Sequence, residues 1–229
     1  MPETIRIFVG YDPDEALAFS VFAHSVHRRS RVPVSIQPVM LSQLRGLYHR
    51  DRDPLQSTEF SFSRFLVPWL CGFKGWAVFC DGDMLCRNDI AELWELRDPN
   101  YSVQVVKREQ EVTQPIKFLG RPQSAYPRKN WSSVMIFNCD RCSVLTPEYV
   151  ATAHGLDLHG FKWLQTTDEI GDIPAGWNHL VGVDAPSQIA KLVHFTLGMP
   201  FFRGFAECEF AQEWREEMHA MMAFSGRGC

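Results

Sequence analysis

Two patterns of apolar residues alternate along the chain. Short runs of consecutive apolar residues predict strands buried in a sheet, and stretches with apolar residues every three or four positions predict helices. The predicted strands cover residues 5–10, 32–39, 76–80, 101–107, 132–138 and 191–195. The predicted helices cover residues 12–30, 60–73, 89–96, 146–155 and 207–224. Residues 108–131 are polar, contain prolines and show neither pattern, so they are predicted to form a long loop.

The order of these elements predicts the fold class. The first strand, helix and second strand form a βαβ unit, which is typical of a parallel sheet covered by helices. We therefore expect an α/β, Rossmann-like fold with a mostly parallel central sheet flanked by helices. No linker, internal repeat or low-complexity segment interrupts the 229 residues, so they are predicted to form a single domain.

Composition and charge exclude several classes of protein. The formal net charge of −4 gives no basis for a nucleic-acid partner. The two short basic clusters, at residues 28–31 and 128–129, are interpreted as solvated helix ends or loops. No charged-then-apolar leader and no run of about 18 apolar residues occurs, so neither a signal peptide nor a membrane span is predicted.

The cysteines indicate a reducing compartment. The chain has seven, an odd number, and most of them lie in apolar runs, which is typical of buried thiols and not of a disulfide framework. Cys139 and Cys142 have the spacing of half a zinc site, but no second pair completes four ligands. We therefore expect a cytoplasmic protein, and peripheral membrane association stays open.

Three D-x-D patterns are candidates for metal chemistry. Asp12-Pro13-Asp14 follows the first strand, where Asp12 has the properties of a helix N-cap and Pro13 those of a first helical residue. Asp51-Arg52-Asp53 follows no strand and is interpreted as solvated surface. Asp81-Gly82-Asp83 ends the most apolar strand, and carboxylates at i and i+2 of an extended chain point to the same side, as a shared divalent cation requires. An Asp-Gly hairpin turn explains that motif equally well from the residues alone.

Six phrases between residues 5 and 202 bear on this alternative. In chain order they read "IRIFVGYDPDEALAFSVFAHSV", "FSRFLVP", "VFCDGDMLCRNDIAELW", "NWSSVMIFN", "TDEIGDIPAGWN" and "HFTLGMPFF". Together they resemble the nucleotide-sugar-dependent glycosyltransferases of the GT-A fold, most closely those of family 8. The resemblance covers nearly the whole chain, and it favours the metal-binding interpretation of Asp81 and Asp83.

The resemblance implies a set of residue roles. Asp81, Asp83 and His194 would hold Mn²⁺ or Mg²⁺, and the imidazole favours Mn²⁺. The cation would bridge the two phosphates of a nucleotide-sugar donor, expected to be a UDP-sugar. The residues implied in binding the nucleotide are Gly10, Tyr11, Asp12, Arg64, Asp81 and Gly82. The residues implied at the donor sugar or the acceptor hydroxyl are Arg64, Asn138, Asp168 and Glu169.

The same resemblance divides the domain into parts. Residues 5–100 would bind nucleotide and metal, residues 101–206 would bind the acceptor and complete the metal site, and residues 207–229 would form a C-terminal helix. The acceptor would be a glycan, a lipid-linked molecule or a small molecule, and transfer is expected to retain the anomeric configuration. Neither the acceptor nor the oligomeric state is indicated by the sequence.

Departures from the family pattern keep some alternatives open. Met199 stands where the family has a lysine for the leaving diphosphate. Either Arg203, Lys107, Arg108 or Lys117 takes that role, or the leaving group is handled differently. Glu169 stands where the family usually has glutamine. The alternatives are a nucleotidyltransferase, which the acidic loop after the first strand disfavours, and a non-catalytic sugar-nucleotide-binding module, which the presence of all three candidate metal ligands disfavours.

Overall fold

The computed structural model describes residues 3–53, 56–108 and 128–223, and it has a mixed α/β architecture around two sheets. The strands of the larger sheet are β1 (Ile5–Gly10), β2 (Val34–Val39), β3 (Trp76–Cys80), β5 (Val103–Val105), β6 (Val134–Asn138) and β7 (Ile170–Asp172). They lie side by side in the order β2-β1-β3-β6-β5-β7. The pairs β1–β2, β1–β3 and β5–β7 are parallel, whereas β6 runs antiparallel to both of its neighbours. The expectation of a mostly parallel central sheet is therefore confirmed.

A smaller sheet lies beyond the end of β3. It contains β4 (Met84–Cys86), β8 (His179–Leu180) and β9 (Leu192–His194), in the order β4-β9-β8. Of these strands, only β9 was expected from the sequence. β4 and β8 have three and two residues, too few to show a hydrophobic period, and neighbouring strands determine their conformation.

The strand burial explains the sequence pattern. Residues 77–80 of β3 and all of β6 are buried, because helices and loops cover both faces of the central strands. β2 forms one edge of the sheet and alternates between half-buried and exposed positions. Pro38 is tolerated in β2 because an edge strand can do without one of its ladder hydrogen bonds.

Six α-helices cover the sheets in the described residues. They are α1 (Ala16–Arg29), α2 (Val67–Leu70), α3 (Ile90–Trp94), α4 (Pro147–Thr152), α5 (Gly155–His159) and α6 (Ala211–Met222). The helix predicted at 60–73 is mostly irregular: a 3-10 turn at Ser63–Leu66 leads into the four-residue α2. Pro68 lies in the first turn of α2, where its missing N–H is tolerated, and Gly72 and Phe73 end the segment with positive φ angles.

The C-terminal helix is attached to α1 through a buried carboxylate. Glu217 is 2% exposed, and its side chain pairs with His24 Nδ1 at 2.5 Å, Arg29 Nη2 at 2.7 Å and Arg28 Nη1 at 3.4 Å. Burial acts to raise the pKa of Glu217, but the contacts with Arg29, His24 and Arg28 outweigh burial and lower it. The basic residues at the end of α1 therefore hold α1 and α6 together. The sequence had predicted a solvated helix end here, so that interpretation is corrected.

The second basic cluster is also not a solvated loop. Lys129 is 5% exposed, and the Arg128 guanidinium lies over the Trp131 ring, 5.4 Å from its centroid. Within the described ranges, the structure contains no helix that is long and apolar enough to cross a membrane.

The Glu217 contacts predict an acid-sensitive contribution to stability. Because the pKa of Glu217 is lower in the folded than in the unfolded chain, its contribution is present at neutral pH and is lost as the pH falls through the folded-state pKa. Glu217→Gln should lower the free energy of unfolding by about 1–3 kcal/mol at pH 7, measured by urea denaturation. The difference from wild type should shrink as the pH falls below the ordinary glutamate pKa of 4.5.

Glu216→Gln is the matched control. Glu216 is exposed on the same helix and accepts a hydrogen bond from Gln212. The control should unfold like wild type, and equal effects of the two substitutions would contradict a specific role for Glu217.

Candidate metal and nucleotide site

The candidate site lies where two parallel strands end. β1 ends at Gly10 and its neighbour β3 ends at Cys80, so the residues that follow both strands meet at the same edge of the sheet. Gly82 packs against the β1 end so closely that a Cβ on it would lie 2.4 Å from the Gly10 carbonyl oxygen. The glycine between Asp81 and Asp83 is therefore required by a close backbone approach.

The Asp81-Gly82-Asp83 segment is a crossover between the two sheets. The strand before it, β3, pairs with β1 and β6, and the strand after it, β4, pairs with β9. The two flanking strands do not pair with each other, so the hairpin alternative is wrong. The crossover turns both carboxylates toward the smaller sheet.

The pairing of β4 with β9 brings the distant histidine to the two aspartates. Met84, which follows Asp83, is the register partner of His194. His194 Nε2 lies 3.3 Å from Asp83 Oδ1 and 3.8 Å from Asp81 Oδ2. All three side chains are buried, and one ligand atom from each lies within 4.8 Å of the others. Among the described residues this is the one group of three acidic, histidine or cysteine side chains with metal-binding geometry.

Asn178 orients the imidazole of His194. The Asn178 amide nitrogen donates to the Asn130 carbonyl oxygen at 3.1 Å, which turns its amide oxygen toward His194 Nδ1 at 3.0 Å. Nδ1 therefore carries the ring proton and donates it to Asn178. Nε2 is then the ring nitrogen that faces the two aspartates, and it is the atom that a metal held by this group would use.

Arg64 is a buried cation beside the first aspartate. It is 5% exposed, and its Nη1 lies 2.8 Å from Asp81 Oδ1 and donates to the Ser132 carbonyl oxygen at 2.9 Å. Its guanidinium carbon lies about 5 Å from the ring centroids of both Phe60 and Phe79. The 3-10 turn after Phe62 therefore holds Arg64 in one position, where it fixes Asp81 and provides a positive charge.

The charges of the site fit a divalent cation. Burial raises the pKa of Asp81, the neighbouring Arg64 and His194 act to lower it, and Asp83 adds to the rise. The Arg64 guanidinium pairs with Asp81, and a bound cation would relieve the repulsion between the two buried carboxylates. Two carboxylates and one imidazole nitrogen are a donor set that suits Mn²⁺ and also accommodates Mg²⁺. The residues present therefore fit the expected ion.

Asp12 has the capping role that the sequence allowed for it. Its Oδ1 accepts a hydrogen bond from the Asp14 N–H at 3.0 Å, and its Oδ2 accepts one from the Glu59 N–H at 3.3 Å. Asp12 thus caps the 3-10 turn at Pro13–Glu15, which leads into α1, and holds the chain near residue 59 against the β1 end. Tyr11 packs edge-on against Phe19, with ring centroids 5.6 Å apart. Gly10 and Tyr11 lie at the end of β1 beside the candidate site, and their role in binding the nucleotide stays a prediction.

Asn138 does not lie at this edge. β6 runs antiparallel to β3, and Asn138 pairs with Trp76, the first residue of β3. Asp81 follows the last residue of β3, and a five-residue strand spans roughly 16 Å. The prediction that Asn138 meets the donor sugar does not fit this placement.

Asp168 and Glu169 also lie at the opposite edge of the sheet. They precede β7, whose first residue, Ile170, pairs with Val103; that row continues through Phe137 to Ala77 near the start of β3. Glu169 accepts a hydrogen bond from Ser102 Oγ at 2.7 Å, which is the main cause of its lowered pKa, and it closes a capping box with Thr166. The acidic pair lies in the 3-10 turn directly before β7. Its predicted contact with the sugar does not fit this position.

Several residues at the site were not identified as candidates. Asn130 and Asn178 support His194, and Ser132 connects Arg64 to His159, whose Nδ1 lies 2.8 Å from Ser132 Oγ. Burial, reinforced by the positive charges of Arg64 and Arg50, lowers the pKa of His159 to about 3, so the ring is neutral at physiological pH. Asn130 and Asn178 lie in "NWSSVMIFN" and "TDEIGDIPAGWN", two of the phrases that resemble the family. Their position in these phrases is the sequence feature that could have identified them.

The basic residues expected to replace the family lysine have other contacts. Lys107 Nζ lies 3.3 Å from Asp172 Oδ2, and Arg108 pairs with both carboxylate oxygens of Asp184, at 2.6 and 2.8 Å. Arg203 is exposed. Lys117 lies outside the described residues. Arg64 is a cation that contacts the metal-site carboxylates directly, at Asp81.

Comparison with known proteins gives a family and a fold. A scan against protein-family models finds no match. Protein CDI from Arabidopsis thaliana is 47% identical over 222 residues, an alignment that covers 93% of this chain and 85% of that protein. The chain belongs to the Protein CDI family. The name of this relative describes no activity.

Solved structures identify the fold. The galactosyltransferase LgtC, solved in complex with donor and acceptor sugar analogs, superposes with a TM-score of 0.62 and 13% identity, covering 96% of this chain and 97% of its own. The bifunctional glycosyltransferase WbbM superposes with a TM-score of 0.66 and 13% identity over 95% of this chain. The chain spans half the length of the WbbM chain. The fold of this CDI-family protein is therefore the GT-A fold that the sequence predicted.

The hydrogen bond between Asn178 and His194 predicts an effect on metal affinity. Asn178→Ala removes the acceptor for Nδ1–H, which frees the ring to rotate or to take the other tautomer. The Kd for Mn²⁺, measured by calorimetry, should rise about 10- to 100-fold. Asn100→Ala, at an exposed turn, is the control and should bind Mn²⁺ like wild type. An unchanged Kd in a folded Asn178→Ala variant would contradict the orienting role.

Proposed function

We propose that this protein is a metal-dependent glycosyltransferase that moves a sugar from a UDP-sugar to a hydroxyl acceptor. The observation that carries the proposal is the convergence of Asp81, Asp83 and His194 beyond the ends of β1 and β3. The GT-A fold supports it, because ligands of such sheets bind at this edge of the strands.

Asp81, Asp83 and His194 would hold the cation, Mn²⁺ or Mg²⁺. When bound, it would offset negative charge on the departing diphosphate, which is the main electrostatic requirement of sugar transfer. Arg64 keeps Asp81 in position by its 2.8 Å contact, and Asn178 keeps His194 Nε2 directed at the aspartates. These contacts preorganise the ligands, so little reorganisation is needed when the donor binds.

The nucleotide would lie along the end of β1. Both carboxylate oxygens of Asp12 accept backbone N–H groups, so Asp12 shapes this loop and the backbone of Gly10 and Tyr11 borders the nucleotide. Gly82 packs against Gly10, so the nucleotide-binding loop and the metal-binding segment are in direct contact. This contact supports a donor that spans both of them, as a nucleoside diphosphate would.

The family-8 resemblance carries the expectation that the anomeric configuration is retained. Proton NMR of the first product formed, before mutarotation, would report the configuration at the transferred anomeric carbon. The acceptor is proposed only as a hydroxyl compound, and the cytoplasm stays the predicted location.

Activity should depend on the metal ligands. With a panel of nucleotide sugars and Mn²⁺, wild type should release nucleoside diphosphate from at least one donor, stop on addition of EDTA and recover when Mn²⁺ is restored. Asp83→Asn should lower kcat by about 10²-fold or more, because a neutral amide holds the cation and the developing charge less well.

Asp51→Asn provides the matched control. It removes a carboxylate from another D-x-D pattern, and the Asp51 side chain is fully exposed beside His49. The control should retain wild-type activity. Turnover from no donor, or full activity in Asp83→Asn, would overturn the proposed function.

The acidic pair before β7 should not affect the donor. Asp168→Asn is expected to leave kcat and the KM for the donor within about twofold of wild type, because the strand register places Asp168 at the opposite edge of the sheet. A drop in kcat/KM of tenfold or more in steady-state kinetics would instead support the direct sugar contact that the sequence suggested.

A further inference from the structure

Two cysteines lie together at the edge of the sheet opposite the metal site. Cys71 follows α2, and Cys139 follows the last residue of β6. Cys139 packs in the buried core that Cys71 partly covers, and each thiol shifts the pKa of the other. Neither residue has a role in the proposed glycosyl transfer.

The backbone holds the segments that carry these two cysteines against each other. The Cys139 N–H donates to the Gly75 carbonyl oxygen at 2.8 Å, and the Gly75 N–H donates to Asp140 Oδ2 at 2.7 Å. The turn after Cys71 is therefore attached to the turn that begins at Cys139. Main-chain hydrogen bonds, together with the packing of Cys71 on the core that contains Cys139, therefore hold the two cysteine-bearing segments together.

The two thiols differ in access. Cys71 is partly exposed, whereas Cys139 is 0% exposed. The Arg6 side chain lies over the same turn, donating to the carbonyl oxygens of Lys74 at 2.6 Å and Trp76 at 2.9 Å. A soluble oxidant can thus reach Cys71 beside a positive charge, while Cys139 is placed behind it as a second thiol.

We propose that Cys71 and Cys139 form a reversible disulfide when the protein meets a hydroperoxide. The Cys71 thiolate attacks the peroxide, an S–O bond forms, the O–O bond breaks, and the leaving oxygen takes a proton. The Cys139 thiol then attacks the Cys71 sulfur, an S–S bond forms, and the S–O bond breaks with loss of water. Two thiols are oxidised by two electrons and one hydroperoxide is reduced.

The electrostatics agree with this order of events. The hydrogen bond from Cys139, helped by the charge of Arg6, lowers the pKa of Cys71 although burial acts to raise it. Burial and the nearby acidic groups Glu207 and Glu209 raise the pKa of Cys208, which is also partly exposed. Since the thiolate is the nucleophile, Cys71 should react first and Cys208 is the natural internal control.

Cys142 is a competing partner that the structure disfavours. It is buried, and its thiol donates to the carbonyl oxygens of Asn138 at 3.2 Å and Ser102 at 3.3 Å. These contacts direct its sulfur toward the strand ends. A bridge between Cys139 and Cys142 is therefore not expected.

The test is mass spectrometry of the full chain after oxidation. Reduced protein is treated with hydrogen peroxide, blocked with N-ethylmaleimide and digested without reductant. We expect a peptide pair joined through Cys71 and Cys139, two hydrogens lighter than the sum of the free peptides and separated by dithiothreitol. Cys208→Ser should give the same yield of this pair, and Cys71→Ser should give none.

A rate measurement on wild type does not depend on the folding of any variant. Iodoacetamide at pH 7 should alkylate Cys71 about tenfold faster than Cys208, and peroxide pretreatment should abolish that difference. The proposal is overturned if Cys71 reacts no faster than Cys208 or if the bridge recovered joins other cysteines. It is also overturned if Cys71 and Cys139 remain separate after oxidation.

Discussion

The approach of Gly82 to the Gly10 carbonyl is the contact on which the candidate site depends. At this point the chain leaves the larger sheet and enters the smaller one, and a side chain at residue 82 would separate the ends of β1 and β3. Because the crossover is tight, Asp81 and Asp83 stay at the sheet edge and face β9. The register between β4 and β9 then sets His194 against them.

Around this crossover, Asp81 and His194 have separate supports. Asp81 contacts Arg64, and His194 donates to Asn178, which in turn donates to the Asn130 carbonyl. Arg64 also donates to the Ser132 carbonyl, so the segment before β6 supports both the arginine and the histidine. Holding two carboxylates in a buried place costs free energy, and the guanidinium and a bound cation are the groups that offset this cost.

The two ends of the central sheet carry different kinds of interaction. The edge after β3 collects the buried charges of the proposed donor site. The edge before β3 collects capping and turn interactions, among them the Glu169 capping box and the turn that joins Cys71 to Cys139. The family phrases contain residues from both edges. Asn130 and Asn138, eight positions apart in one phrase, lie at opposite ends of β6.

The sequence by itself determined the fold class, the main buried strands and the three metal-ligand candidates. Those features depend on local chemistry: continuous apolar runs bury themselves, Asp12 caps a helix, and paired aspartates after a strand remain at its end. Only the tertiary structure decided that Asp81-Gly82-Asp83 is a crossover and not a hairpin, and that Asn178 orients His194. The tertiary structure also places Asn138, Asp168 and Glu169 at the opposite edge of the sheet from the metal site. The physical reason is strand direction and register, since a residue's position along its strand does not show which neighbour it meets or at which edge it ends.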